Sequence, residues 1–179
     1  MPMVKVAGAG NGPRHMCLHP NNRLAYVLSE LASQISVYSY DAENGTLAAE
    51  ALQVVSTLPP GVASGDGYST TAAIRVTGDG RRLYGSNRGH DSIAEFAVDE
   101  RSGLLQLLGH ANTTPEGSAN NAGAPRDFIL LNHGEETVVL AANQNRDDIV
   151  EFVLDKGSNR LRRRGTAVTS PTPVALLPI

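Results

Sequence analysis

Residues 93–105 read Ile93-Ala94-Glu95-Phe96-Ala97-Val98-Asp99-Glu100-Arg101-Ser102-Gly103-Leu104-Leu105, and the stretch has two close counterparts in the same chain. ISVYSYDAENGTL begins at Ile35 and IVEFVLDKGSNRL at Ile149, so the three isoleucines stand 58 and then 56 residues apart (35 to 93 to 149). The register holds without gaps through Tyr38, Phe96 and Phe152, then Asp41, Asp99 and Asp155, then Gly45, Gly103 and Asn159, and finally Leu47, Leu105 and Leu161. A repeat of this length is the first thing to read in a sequence, because it dictates the architecture.

Each copy opens with an alternating run, which has the two-residue period of a half-buried strand. Each then reaches Asp-x-x-x-Gly or Asp-x-x-x-Asn. An aspartate there accepts hydrogen bonds from the backbone that follows, and glycine or asparagine tolerates positive φ, so the motif is a turn. Helical spacing fits poorly. Extending the pattern outward gives four strands per repeat, roughly His15–His19, Leu24–Leu28, Gln34–Tyr40 and Ala49–Ser56 in the first. Four antiparallel strands at this spacing predict an all-β fold of propeller blades.

The repeats span approximately residues 12–57, 70–112 and 124–168 of one domain over residues 1–179. Two stretches rich in Gly, Ser, Ala, Asn and Pro, PPGVASGDGYSTT from Pro59 and TTPEGSANNAGAP from Thr113, read as irregular loops within that domain. SPTPVALLP from Ser170 matches GPRHMCLHP from Gly12 in layout, which predicts the first strand of a fourth blade over 170–179. Three blades and one strand do not close a ring, so either further blades or a second copy of the chain is expected to complete it.

Composition narrows the rest. The 179 residues are 41% hydrophobic with a net charge of −3, and the one strongly basic run, Arg160-Leu161-Arg162-Arg163-Arg164, is too local for a nucleic-acid footprint. A single cysteine, Cys17, excludes an internal disulfide and a multi-cysteine metal site. No window approaches the roughly 18 apolar residues of a membrane span, and MPMVKVAGAGNG lacks the apolar segment of a signal peptide. The expected location is cytoplasmic, with no membrane and no nucleic-acid partner. Neither a glycine-rich phosphate loop nor a Gly-x-Ser-x-Gly elbow is present, so nucleotide chemistry and a serine hydrolase have no support.

Three strings, GPRHMCLHPNNRLAYVLSE from Gly12, IRVTGDGRRLYGSNRGHDSIAEF from Ile74 and VLAANQNRDDIVEF from Val139, resemble the C-terminal half of the seven-bladed β-propeller lactonase family. That family includes the propeller type of 6-phosphogluconolactonase and carboxy-cis,cis-muconate cyclase. The resemblance implies catalytic roles for Arg14 of the Pro-Arg-His motif, Glu30 at the end of the next strand and Arg88 of the Asn-Arg pair. It implies further a histidine from an earlier blade, which would lie before the present sequence. The expected activity is hydrolysis of an anionic sugar-acid lactone such as 6-phosphogluconolactone, with a lactonizing cyclase or a non-catalytic interaction piece as the alternatives.

The strand pattern argues for the same rim independently. Neighbouring strands are antiparallel, so the start of a first strand and the end of a second lie at one end of the blade. Arg14 starts a first strand, Glu30 ends a second, and Arg88 and Gln144 occupy the position of Glu30 in the next two repeats. Arg126 starts the third blade's first strand. Glu30 suits proton transfer, although most loop carboxylates are simply solvated. Arg14 and Arg88 suit anion binding, with His15, Arg126 and Gln144 as further substrate-binding candidates. His90 reads as a neighbour of Arg88, Asp91 as a turn former, and His19 and His133 as surface residues of the opposite rim. One carboxylate against three arginines disfavours a cation, so neither a metal nor another cofactor is expected.

Overall fold

A computed structural model describes residues 8–133 and 136–178. The described residues form three antiparallel sheets and no helix. The first contains β1 (Pro13–Leu18), β2 (Leu24–Ser29), β3 (Gln34–Asp41), the short β4 (Thr46–Leu47) and β5 (Gln53–Ser56). The second contains β6 (Thr70–Val76), β7 (Arg82–Arg88), β8 (Ser92–Val98) and β9 (Leu105–Asn112). The third contains β10 (Pro125–His133), β11 (Glu136–Asn143), β12 (Asp148–Asp155) and β13 (Arg160–Thr169). Strands pair in chain order within each sheet, as in propeller blades, and the innermost strands β1, β6 and β10 lie side by side. The architecture is part of a β-propeller.

The Asp turns form as the sequence requires. Asp41 Oδ1 accepts from the backbone N–H of Glu43 and Asn44, Asp99 Oδ1 from Arg101 and Ser102, and Asp155 Oδ1 from Ser158. Gly45, Gly103 and Asn159 take φ of 64°, 70° and 54°. The fourth strand of the first sheet departs from expectation: the chain pairs at β4, leaves the ladder, and rejoins β3 at Gln53.

Two apolar cores lie between the sheets. Leu24, Tyr26, Leu28, Ile35 and Val37 of the first sheet meet Leu83, Ala94, Phe96 and Val98 of the second. Tyr84, Ile93 and Ala111 on its other face meet Phe128, Val139, Val150 and Phe152 of the third. The middle sheet is therefore buried on both faces, and β8 is not the half-buried strand that its alternation predicts. Burying a side chain such as Phe96, fully enclosed here, contributes about 1.5–3 kcal/mol.

Glu95 shows the cost of that arrangement. Its carboxylate is 1% exposed, and it accepts from Arg160 Nε and Nη2 at 3.1 and 2.9 Å and from the Leu161 N–H at 2.8 Å. A buried charge persists only when it is paired in this way. The polar position of one strand has become a lock between the second and third sheets.

Ser170–Pro178 does not form the expected first strand of a fourth blade. The segment is held instead by single contacts, Thr172 N–H to Asp147 Oδ1 at 2.7 Å and Leu176 N–H to Asp127 Oδ2 at 3.0 Å. A strand needs a neighbour for its ladder, none is present beside it among the described residues, and Pro171, Pro173 and Pro178 have no N–H to give. At the other end Met16, Leu18 and Val54 stay exposed on the face of the first sheet turned away from the second. Their alternates, Cys17 and Val55, pack into the first core.

Candidate functional site

The rim near the axis is built from one backbone device used three times. Pro13 pairs with Ser29, Thr71 with Asn87, and Pro125 with Asn143, and directly inward of each pair the first strand carries a bulge. A bulge adds a residue without a ladder partner and re-aims its side chain. In the first and third sheets that extra residue is Arg14 and Arg126; at the corresponding place in the second sheet stands Ala72. The residue just past the paired one on the second strand is Glu30, Arg88 or Gln144.

Each arginine meets its neighbour across this gap. Arg126 Nη1 donates to Gln144 Oε1 at 3.1 Å, and Arg14 Nε lies 3.6 Å from Glu30 Oε2. In the second sheet Ala72 offers Arg88 no side-chain partner. Arg88 instead crosses to the first sheet, where Nη2 donates to Glu30 Oε1, and it also donates to the Thr71 carbonyl at 3.0 Å. Arg14 crosses the other way and donates through Nη1 to the Ala72 carbonyl. Glu30 is thus gripped between Arg14 and Arg88, which are 20% and 15% exposed.

The electrostatics follow from crowding. Burial pushes the Arg14 guanidinium below its ordinary value; Glu30 opposes that shift, while Arg88 and Arg126 add to it. Arg14 thus lies in the field of two further arginines and two carboxylates, Glu30 and Asp127. His15 Nε2 lies 3.1 Å from Arg14 Nη1, which can only donate, so the imidazole accepts and is neutral. Burial, and then Arg14, lower its pKa. Arg88 Nε is buried without a hydrogen-bond partner, which leaves a charged donor unspent.

Beside the cluster opens a cleft of about 520 Å³ whose walls include Arg88, Gln144, Tyr68, His90 and Asn121. The sequence points to Arg88 and Gln144 and marks the two long stretches from Pro59 and Thr113 only as irregular loops. The structure folds both loops over the rim as the cleft's walls. Their shared position in successive repeats, on the side of Glu30, is the signal that marks them. Asp91 forms its turn and does more: buried, it accepts from Gly89 N–H at 3.2 Å, Gly123 N–H at 2.9 Å and Ala124 N–H at 2.8 Å, tying the second loop to the turn between β7 and β8.

The structure thus unites Arg14, Glu30 and Arg88, joins His15 to them through Arg14, and pairs Arg126 with Gln144 one blade on. His19 is not a plain surface residue, because its Nε2 meets the Gly80 carbonyl at 3.1 Å and its ring packs edge-on against Tyr26. The side chain of His133 lies outside the described residues. Chemically, the cluster offers a carboxylate for proton transfer and guanidinium donors for developing or resident negative charge.

Known proteins resemble this chain in sequence and fold. The profile of the family described as "Lactonase, 7-bladed beta-propeller" matches residues 2–178. A 6-phosphogluconolactonase of Bacillus subtilis is 36% identical over 167 residues, which are 93% of this chain and 44% of that protein. An uncharacterized protein of Lactococcus lactis is 37% identical over 173 residues, 97% of this chain and 47% of its own length. Among solved structures, a protein from Lactobacillus plantarum superposes with a TM-score of 0.79 at 34% identity, covering 95% of this chain and 46% of that one. The periplasmic gluconolactonase of Pseudomonas aeruginosa gives 0.76 at 32%, covering 93% and 42%. The chain spans about half the length of these relatives, and it belongs to the seven-bladed β-propeller lactonase family.

Proposed function

We propose that the assembled protein hydrolyses an anionic sugar-acid lactone, such as 6-phosphogluconolactone, at the rim formed by Arg14, Glu30 and Arg88. The observation that carries this reading is the grip of two arginines on one carboxylate beside an open cleft. Support comes also from the names of relatives, a 6-phosphogluconolactonase and a gluconolactonase.

The chemistry runs as a base-assisted addition. Glu30 accepts a proton from water as the water oxygen bonds to the lactone carbonyl carbon. Arg88 and Arg14, whose guanidinium groups are partly exposed at the rim, stabilise the oxyanion that develops on the carbonyl oxygen. The tetrahedral intermediate then collapses, the bond from carbon to ring oxygen breaks, and Glu30 returns its proton to the departing alkoxide. Arg126, held by Gln144, is the next cation along the rim and suits the substrate's anionic end.

Three blades do not enclose an axis. Further blades, or a second copy giving about 38 kDa from twice 18.9 kDa, complete the ring in this proposal. The test is hydrolysis of gluconolactone and 6-phosphogluconolactone by the closed ring, with Glu30→Gln and Arg88→Ala beside it. Full activity in both variants overturns the assignment. Formation of lactone in place of its loss assigns the cyclase direction.

A further inference from the structure

His90 lines the cleft beside Arg88, and its environment specifies one protonation state. Asn87, three residues before His90, begins the chain of hydrogen bonds that reaches the ring. The Asn87 amide nitrogen faces the Thr57 carbonyl at 2.9 Å and Ser92 Oγ at 3.2 Å. A carbonyl can only accept, so this end of the amide is the donor end and Ser92 Oγ accepts one of its hydrogens. Ser92, fully buried, has one other partner among the described residues: His90 Nδ1 at 2.7 Å. The Ser92 hydroxyl proton therefore points to Nδ1. His90 Nδ1 accepts, and the ring's own proton sits on Nε2.

The ring is held as well as polarised. His110 packs edge-on against it with centroids 5.2 Å apart, and His110 Nε2 donates to the same Thr57 carbonyl at 2.8 Å. Burial and then the neighbouring His110 lower the His90 pKa against the opposing influence of Asp91, which agrees with a neutral ring. Nε2 has no hydrogen-bond partner among the described residues, and the cleft that His90 lines carries Asn120, Asn121 and Gln144 as well as Arg88 and Asp66. A lining of mixed amide and charged groups fits a polyhydroxylated acid better than a bare anion.

We propose that His90 is a ligand-binding residue of this cleft, presenting a neutral Nε2–H to an acceptor oxygen of the lactone or its ring-opened acid, with Ser92 as the positioning residue that sets the tautomer. The proposal rests on the lactone reading of the site. It adds a second kind of donor to that reading, since Arg88 brings charge and His90 brings direction without charge.

Gluconate, the inert ring-opened acid, is the probe. Long-range proton–nitrogen NMR of the imidazoles at pH 7 is expected to show His90 as the Nε2–H tautomer, with gluconate moving its resonances and leaving those of His19 in place. His90→Ala is expected to weaken gluconate binding about tenfold, the loss of one hydrogen bond. His90→Gln, which restores an N–H near the Nε2 position, should recover most of that loss, and Ser92→Ala should convert His90 to a mixture of tautomers. An Nδ1–H tautomer in the wild-type protein overturns the proposal even if the variants do not fold. Unchanged affinity in His90→Ala, with binding lost in Arg88→Ala, overturns the role of His90 and leaves the lactone reading standing. Absence of gluconate binding by the wild-type ring overturns both.

Discussion

In the first sheet the bulged arginine, Arg14, faces a carboxylate; in the third, Arg126 faces the amide of Gln144. Backbone, bulge and rim position are the same, yet the first pair can move a proton and the third can only bind. The position after the bulge differs in the same spirit, His15 in one and Asp127 in the other, where Asp127 holds Arg75 at 2.9 Å. A propeller supplies equivalent places around its axis, and chemistry enters by changing one side chain at a place while its counterparts stay inert. The second sheet shows the third option: with Ala72 at the bulge, Arg88 is released to serve its neighbour.

Making the first blade resemble the third is the strongest way to break that contrast. Glu30→Gln keeps the shape and removes the base, and should lower kcat of the closed ring by about 10²–10⁴-fold with little change in melting temperature. Retained turnover would mean that the two pairs are equivalent after all. Arg88→Ala comes next, with an expected loss of about 10²–10³-fold in kcat/KM, the effect of removing one donor to a developing oxyanion. The converse change, Gln144→Glu, turns the third blade into the first. It should add about 0.2–1 kcal/mol of stability through the new pair with Arg126, and weaken gluconate binding about fivefold by adding an anion to the cleft. Calorimetric titration of that variant decides the point.

The smallest expected effect concerns acid. His15, His90 and His110 all have pKa values lowered below the ordinary 6.5, with burial as the leading cause. The unfolded chain then takes up protons first as pH falls, so the stability these groups contribute is present above about 6.5 and is lost as pH drops from there through the folded values. Unfolding midpoints in urea should decline between pH 7.5 and 5.5. His15→Gln should flatten the decline, because it removes one of the titrating imidazoles and leaves a neutral acceptor beside Arg14.

How much of this was readable beforehand follows from how far each interaction reaches along the chain. The blades were legible because Asp99, Gly103 and their counterparts act within a few residues, and local turn chemistry leaves a local signature. Glu30, Arg88 and Gln144 were legible as one position because the repeat register is gapless there. The Glu95–Arg160 lock was not: its partners lie 65 residues apart, and Glu95 looked like the solvent side of an alternating strand. The crossing of Arg88 to Glu30 joins residues 58 apart on different sheets, which periodicity does not carry. The cleft walls come from loops without a period, whose closure rests on single anchors such as Asp91.

The bulge at Arg14 carries a consequence for how such a site can arise and vanish. Pro13 pairs with Ser29 and His15 with Leu28, so Arg14 is an insertion into a ladder that is already continuous around it. Deleting that one residue joins Pro13 to His15 in regular register and leaves every other side chain of β1 on its present face. The rim arginine is thus detachable: a single codon adds or removes it, and the blade beneath need not be rebuilt.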